Sequence, residues 1–97
     1  MKLNAGFEEE YRRRHDAIWP ELSDLLHNTG IREYSIFLDE GTLTLFAYLR
    51  IDDAAALDAL PVQPVMQRWW AYMQDIMDTN PDHSPVTKAL DEVFYMK

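Results

Sequence analysis

Tyr11 and His15 stand four residues apart in the run "EEYRRRH", so on a helix they share one face. A histidine so placed can exchange protons near neutral pH. A neighbouring tyrosine can orient the imidazole and a hydroxyl-bearing ligand. Taken alone, the pair has two readings: a structural histidine hydrogen-bonded at the edge of the core, or an acid–base group. Trp69 and Trp70 are adjacent in "RWWAYM" and leave a helix in different directions. Trp69 fits an apolar stripe with Val62, Met66 and Met73, whereas Trp70 is displaced towards surface packing or a pocket wall. Indole faces stack on the C–H faces of a sugar ring, and the indole N–H donates to hydroxyls. Tyr34 opens a strand on the face of Ile36 and Leu38, where it either packs against a helix or adds a phenol to a pocket.

The rest of the composition narrows the chemistry. There is no cysteine, which excludes thiol catalysis, disulfides, thiolate zinc sites and iron–sulfur clusters and is compatible with a reducing cytoplasm. His27 and His83 are isolated, so no metal motif forms. Asp52-Asp53 reads as a helix cap rather than a catalytic pair. There is no Gly-rich phosphate loop and no nucleophile elbow. A formal net charge of -8 argues against nucleic acid, whose binders need a basic surface. The expected ligand is neutral and recognised by local hydrogen bonds. No apolar run is long enough to span a membrane, and the start shows no signal-peptide pattern. With 97 residues the chain is expected to form one small domain, which dimerisation would stabilise by covering apolar surface.

The positioning elements follow from periodicity. Met1–Asn4 reads as a strand stub, with Asn4 placed to cap a helix through "FEEEYRRRHDAIW". Glu8, Glu9 and Glu10 suit its first turn and stand four before Arg12, Arg13 and Arg14, which predicts a solvated, ion-paired face. Phe7, Tyr11, His15, Ile18, Leu22 and Leu25 make its inner face. Pro20 starts a second helical segment or bends a continuous one, and Gly30 stops it. "EYSIFLD" and "TLTLFAYLRI" form a hairpin about Asp39-Glu40-Gly41. "DDAAALDAL" is a short helix capped by Asp52 or Asp53. Pro61 and Pro64 bracket the entry to "VMQRWWAYMQDIM", a helix with Met66, Trp69, Met73 and Ile76 in its stripe. "TNPDHSP" is a loop, and "LDEVFYM" alternates like a final strand. The order is that of a split β-α-β, ferredoxin-like α+β domain. Its helices cover one sheet face and leave the other for a second subunit or a ligand.

The ordered set "EEYRRRH", "IWPEL", "RWWAYM", "NPDHSP" and "EVFYM" resembles the L-rhamnose mutarotases from about Asn4 to Met96. The resemblance implies a homodimeric α/β barrel of ferredoxin-like subunits that interconverts the α and β anomers of L-rhamnose in the cytoplasm, without cofactor or metal. It implies His15 as the proton-donating residue and Tyr11, Tyr34, Trp69 and Trp70 as sugar-binding residues. Two positions depart from the family pattern. Members start several residues earlier with a full first strand, here shortened to "MKLN", and His83 stands where the family loop has Asn. Ring opening needs an acid at the ring oxygen and a base at the anomeric hydroxyl. His15 is assigned the first role, while a tyrosine or water could serve the second. The rival readings are a dimeric ferredoxin-like module that binds a metabolite without turnover and, more distantly, a cofactor-independent monooxygenase.

Overall fold

Pro20 decides where the first helical run divides. In the computed structural model, which describes residues 1–97, α1 spans Glu8–Asp16 and α2 spans Pro20–Asn28, with Pro20 at the start of the second helix. Proline has no N–H to continue the ladder of α1, and its fixed φ suits a first helical position. Gly30 follows α2 at φ 104. A side chain is strained in that conformation, and a Cβ there would also meet Asp52 at 3.6 Å. From this turn the chain enters β1, Ile31–Asp39, which pairs antiparallel with β2, Thr44–Ile51. Asp39 organises the intervening turn by accepting from the Gly41 N–H and the Thr42 hydroxyl. A 3₁₀ helix over Ala54–Val62 is capped by Asp53, whose carboxylate accepts from the Ala55 N–H. The last helix, α3, spans Pro64–Met73.

The N-terminal segment extends the two-stranded sheet. Leu45 donates to the Met1 carbonyl at 2.8 Å, and Leu3 donates to the Leu43 carbonyl at 2.9 Å. On its other side Asn4 donates to the Ile76 carbonyl, and Asp78 donates to the Lys2 carbonyl. Antiparallel bridges Lys2–Thr44 and Leu3–Met77 result. The lateral order is therefore 76–78, 1–4, β2, β1, with helices on one side. Between helices and sheet lies a core of Leu3, Tyr11, Leu22, Leu45, Trp69, Met73, Ile76 and Met77, against which Ile36 and Leu38 pack. The opposite sheet face carries Phe37, Phe46 and Tyr48, which are 61%, 44% and 55% exposed. Phe37 and Phe46 are direct cross-strand partners.

Four expectations are corrected. Asn4 does not cap α1. Phe7 occupies the cap position without a side-chain bond, because the Asn4 backbone is engaged with Ile76 and its amide reaches the Asp75 carbonyl instead. The basic run is not wholly solvated: Arg14 is buried, bonding Glu10, Asp75 and the Tyr72 carbonyl. Glu10 serves both Arg13 and Arg14. Val62 is exposed, because the 3₁₀ segment ending there takes it off the α3 stripe. Finally, Leu90–Met96 forms no strand, and Leu90, Val93, Phe94 and Tyr95 are exposed. An alternating segment becomes a strand only beside an edge that takes its backbone groups, and no edge of this chain pairs with it.

Candidate active site

One face of α1 presents Tyr11 and His15 to the space between helices and sheet. Their rings stack with centroids 4.3 Å apart at 28°. His15 Nδ1 lies 3.0 Å from the Tyr11 carbonyl oxygen. A carbonyl only accepts, so Nδ1 carries the hydrogen and donates it. This leaves Nε2 as the nitrogen free to exchange a proton. The second wall comes from α3: Trp69 meets His15 edge-on at 5.4 Å and 90°. Trp19, the residue before Pro20, meets Trp69 edge-on at 5.1 Å and stacks on Tyr72 at 5.5 Å. The imidazole is thus held by one aromatic face and one aromatic edge, contacts worth about 0.5–1.5 kcal/mol each.

A cavity of about 70 Å³ brings together all five residues expected from the sequence: Tyr11, His15, Tyr34, Trp69 and Trp70. Met1, Ile36, Met66, Met73, Met77 and Pro85 complete its lining. The same five residues also border a broader cleft between helices and sheet. Of the two tryptophans, Trp69 is buried in the core and Trp70 is half-buried beside it. Both reach the cavity, because it wraps part of the way around α3. Tyr34 faces them from β1.

Burial sets the proton chemistry. It pulls the His15 pKa below the ordinary 6.5, and the Tyr11 carbonyl and the Asp16 charge only partly oppose it. The ring is therefore mostly neutral at pH 7, with a free lone pair on Nε2. Burial also raises the phenol of Tyr11, with Tyr34 adding to the effect; Tyr34 is 46% exposed, so its own upward shift from the atoms around it is the weaker one. Both stay protonated at neutral pH and can donate hydrogen bonds. No carboxylate lines the cavity, and nowhere do three or more His, Cys, Asp or Glu residues gather as metal ligands.

Sequence reasoning missed three supports. Arg14 joins α1 to the end of α3 through Asp75 at 2.8 Å and the Tyr72 carbonyl at 2.7 Å, and sits over the Tyr72 ring. Its burial depends on a partner 61 residues away, which no local pattern announces. Trp19 props Trp69, and its place before Pro20 was the available signal. Pro85 reaches the cavity from the "NPDHSP" loop. In that loop His83 adopts φ 70, a left-handed conformation in which Asn and His are both enriched.

Comparison with known proteins agrees over the full length. A family model described as L-rhamnose mutarotase matches residues 1–96. The L-rhamnose mutarotase of Brucella anthropi is 59% identical over 96 residues, covering 99% of this chain and 91% of that protein. That of Rhizobium johnstonii is 57% identical over the same shares. A crystal structure of L-rhamnose mutarotase from Formosa agariphila matches with a TM-score of 0.92 at 48% identity, covering 100% of this chain and 93% of that one.

Proposed function

This chain belongs to the L-rhamnose mutarotase family, and from that premise we propose that its aromatic cavity is where the sugar ring opens and closes. The protein is an isomerase that interconverts the α and β anomers of L-rhamnose. The observation that carries the site assignment is the free Nε2 of His15 in one cavity with Tyr11, Tyr34, Trp69 and Trp70.

Anomer exchange requires the C1–O5 bond to break and re-form. His15, neutral at rest, takes the proton of the anomeric hydroxyl at Nε2, and O1 becomes the carbonyl oxygen as C1–O5 breaks. The ring oxygen leaves with a proton from a phenol of the cavity or a water. Rotation about C1–C2 turns the other aldehyde face towards O5. As O5 attacks that face it gives up its proton, and His15 returns the first proton to O1. Nothing is oxidised or reduced. The sequence assigns His15 the acid role at the ring oxygen; because burial favours the neutral ring, the order proposed here has Nε2 accept first and donate afterwards. Tyr11 and Tyr34 hold hydroxyls, and the two indoles shape the wall against the sugar's C–H faces. Magnetisation-exchange NMR across the anomeric signals of L-rhamnose tests the assignment. Purified protein should accelerate exchange, and binding without acceleration would leave a metabolite-binding module.

The finer architecture belongs to the same proposal. The lateral order 76–78, 1–4, β2, β1 supports a ferredoxin-like subunit. The aromatic face of Phe37, Phe46 and Tyr48 supports a homodimer in which a second copy covers the sheet to complete an α/β barrel. No helix is long and apolar enough to cross a membrane. The cytoplasm is the proposed compartment, consistent with a chain without cysteine.

A further inference from the structure

Arg14 and His15 are neighbours on α1, and a closed circuit of rings joins them. The Arg14 guanidinium lies 4.4 Å over the Tyr72 ring. Tyr72 stacks on Trp19 at 5.5 Å, Trp19 meets Trp69 edge-on at 5.1 Å, and Trp69 meets His15 edge-on at 5.4 Å. Trp19 is the middle link, and it lines neither the cavity nor the broader cleft. We propose that Trp19 is a positioning residue for anomer exchange: it fixes Trp69 from behind and, through Trp69, holds the His15 imidazole still and shields it from water. The proposal rests on the reading of the cavity as the sugar site.

Three rings orient the Trp69 indole: His15, Trp19 and Tyr72. His15 is the group to be held. Tyr72 stands three residues after Trp69 on the same face of α3 and moves with it. Trp19 alone is an independent fixed point. As the residue before Pro20 it is confined to extended backbone, here φ -61 and ψ 131. Its carbonyl accepts from the Leu22 and Ser23 N–H groups at 3.0 Å. The Tyr72 ring on which it stacks is pinned in turn, since Arg14 also donates to the Tyr72 carbonyl. His15 needs this outer support because its one hydrogen bond, from Nδ1 to the Tyr11 carbonyl, leaves the ring free to rock. Tyr11 bears on one face, and Trp69 closes the side that remains. A shift of about 1 Å in a reacting group costs on the order of 10²-fold in rate. The charged and ionisable groups around His15 are Tyr11 and Asp16 of α1, Tyr34 of β1 and the Met1 ammonium, which bonds the Leu45 carbonyl. The side chains that α3 brings to the cavity are uncharged. Releasing Trp69 therefore changes the hydration of the imidazole, not the charges beside it, and Nε2 gains proton affinity.

Exchange kinetics against pH, with an NMR titration of the His15 ring protons, test this on the whole chain. Trp19→Leu keeps hydrocarbon bulk and removes the flat ring. It should lower kcat by about 10- to 100-fold and move both the His15 midpoint and the acid limb of the rate up towards 6.5. Trp19→Phe keeps an aromatic edge and should retain the native midpoint and most of kcat. Tyr72→Leu breaks the neighbouring link, should act in the same direction, and decides the matter where Trp19→Leu does not fold by circular dichroism. A folded Trp19→Leu protein with native kcat and an unmoved midpoint overturns the proposal. So does a loss of kcat with the midpoint unmoved, the mark of a general loosening. The midpoint is read without sugar, so failure of the native protein to exchange L-rhamnose counts against the sugar site instead.

Discussion

Consider the exchange reaction titrated from about pH 8 to about pH 5, in the native protein and in His15→Asn. The imidazole is drawn below its ordinary 6.5 mainly by burial. The neutral form is therefore favoured at pH 7. If neutral Nε2 takes the anomeric proton, kcat/KM is level near pH 7–8 and falls as pH drops through the folded pKa, approaching tenfold per unit. If the imidazolium acted first, the slope would reverse, with rate lost as pH rises. His15→Asn keeps a planar polar group but removes the base. The plateau should fall by about 10²–10⁴-fold, or roughly 2.7–5.4 kcal/mol of barrier, and the acid limb should vanish. Sugar affinity should change much less, because Tyr11, Tyr34 and the tryptophans still line the cavity. Circular dichroism at each pH separates this from unfolding. Because His15 binds a proton more weakly folded than unfolded, stability also declines as pH falls through this window. Glu10, lowered to about 2 chiefly by its bonds to Arg13 and Arg14, and Asp75, lowered by Arg14, contribute stability that is lost only at still lower pH. A folded His15→Asn with near-native exchange would refute the role of His15. A native rate that climbs towards acid would refute the accept-first order.

If Tyr34 or water protonates the ring oxygen, Tyr11→Phe should raise KM more than it lowers kcat; a dominant loss of kcat would identify Tyr11 as that acid. Arg14→Met removes the bonds to Glu10, Asp75 and the Tyr72 carbonyl. It should cost about 2 kcal/mol, roughly 8–16 °C in Tm by calorimetry. Phe37→Glu, placed on the exposed sheet face, should shift sedimentation equilibrium from twice the 11.4 kDa chain mass towards once. A native protein that sediments as an active monomer would end the dimer proposal. Exhaustive chelation should leave anomer exchange unchanged, since no ligand cluster exists. Loss restored by one specific metal would show otherwise.

What could be read from the sequence was local. The spacing of Tyr11 and His15 fixes their common face on any helix. Pro20 and Gly30 act on their own backbone. Tyr34 on the face of Ile36 and Leu38 follows from alternation, and all three sit on the cavity and core side of the sheet. What could not be read depended on partners distant in sequence. Asn4 looks like a cap until Ile76 takes its backbone. Arg14 looks solvated until Asp75 closes over it. The alternation in "LDEVFYM" is the same pattern as in β1, but a strand also needs a paired edge, and that information lies outside the segment.

The site itself joins these two kinds of information. Its chemical groups lie on three elements, α1, β1 and α3, and the hydrogen bonds that hold the frame together are made by Arg14 and by backbone rather than by sugar-facing side chains. Arg14 ties α1 to the end of α3. The backbone of Met1–Asn4 ties β2 to the segment after α3. Trp19 braces Trp69. The side chains at the cavity are thereby left with unspent hydrogen-bonding capacity: Nε2 of His15 and two protonated phenols. A largely aromatic, carboxylate-free cavity favours the neutral imidazole and the protonated, uncharged phenols. This suits a reaction that borrows a proton from the substrate and gives it back. A carboxylate beside His15 would hold the imidazole in its cationic form and remove the acceptor that ring opening needs. The dryness of the wall therefore serves the acid–base step, and a polar residue placed there should move the pH at which exchange begins to fall.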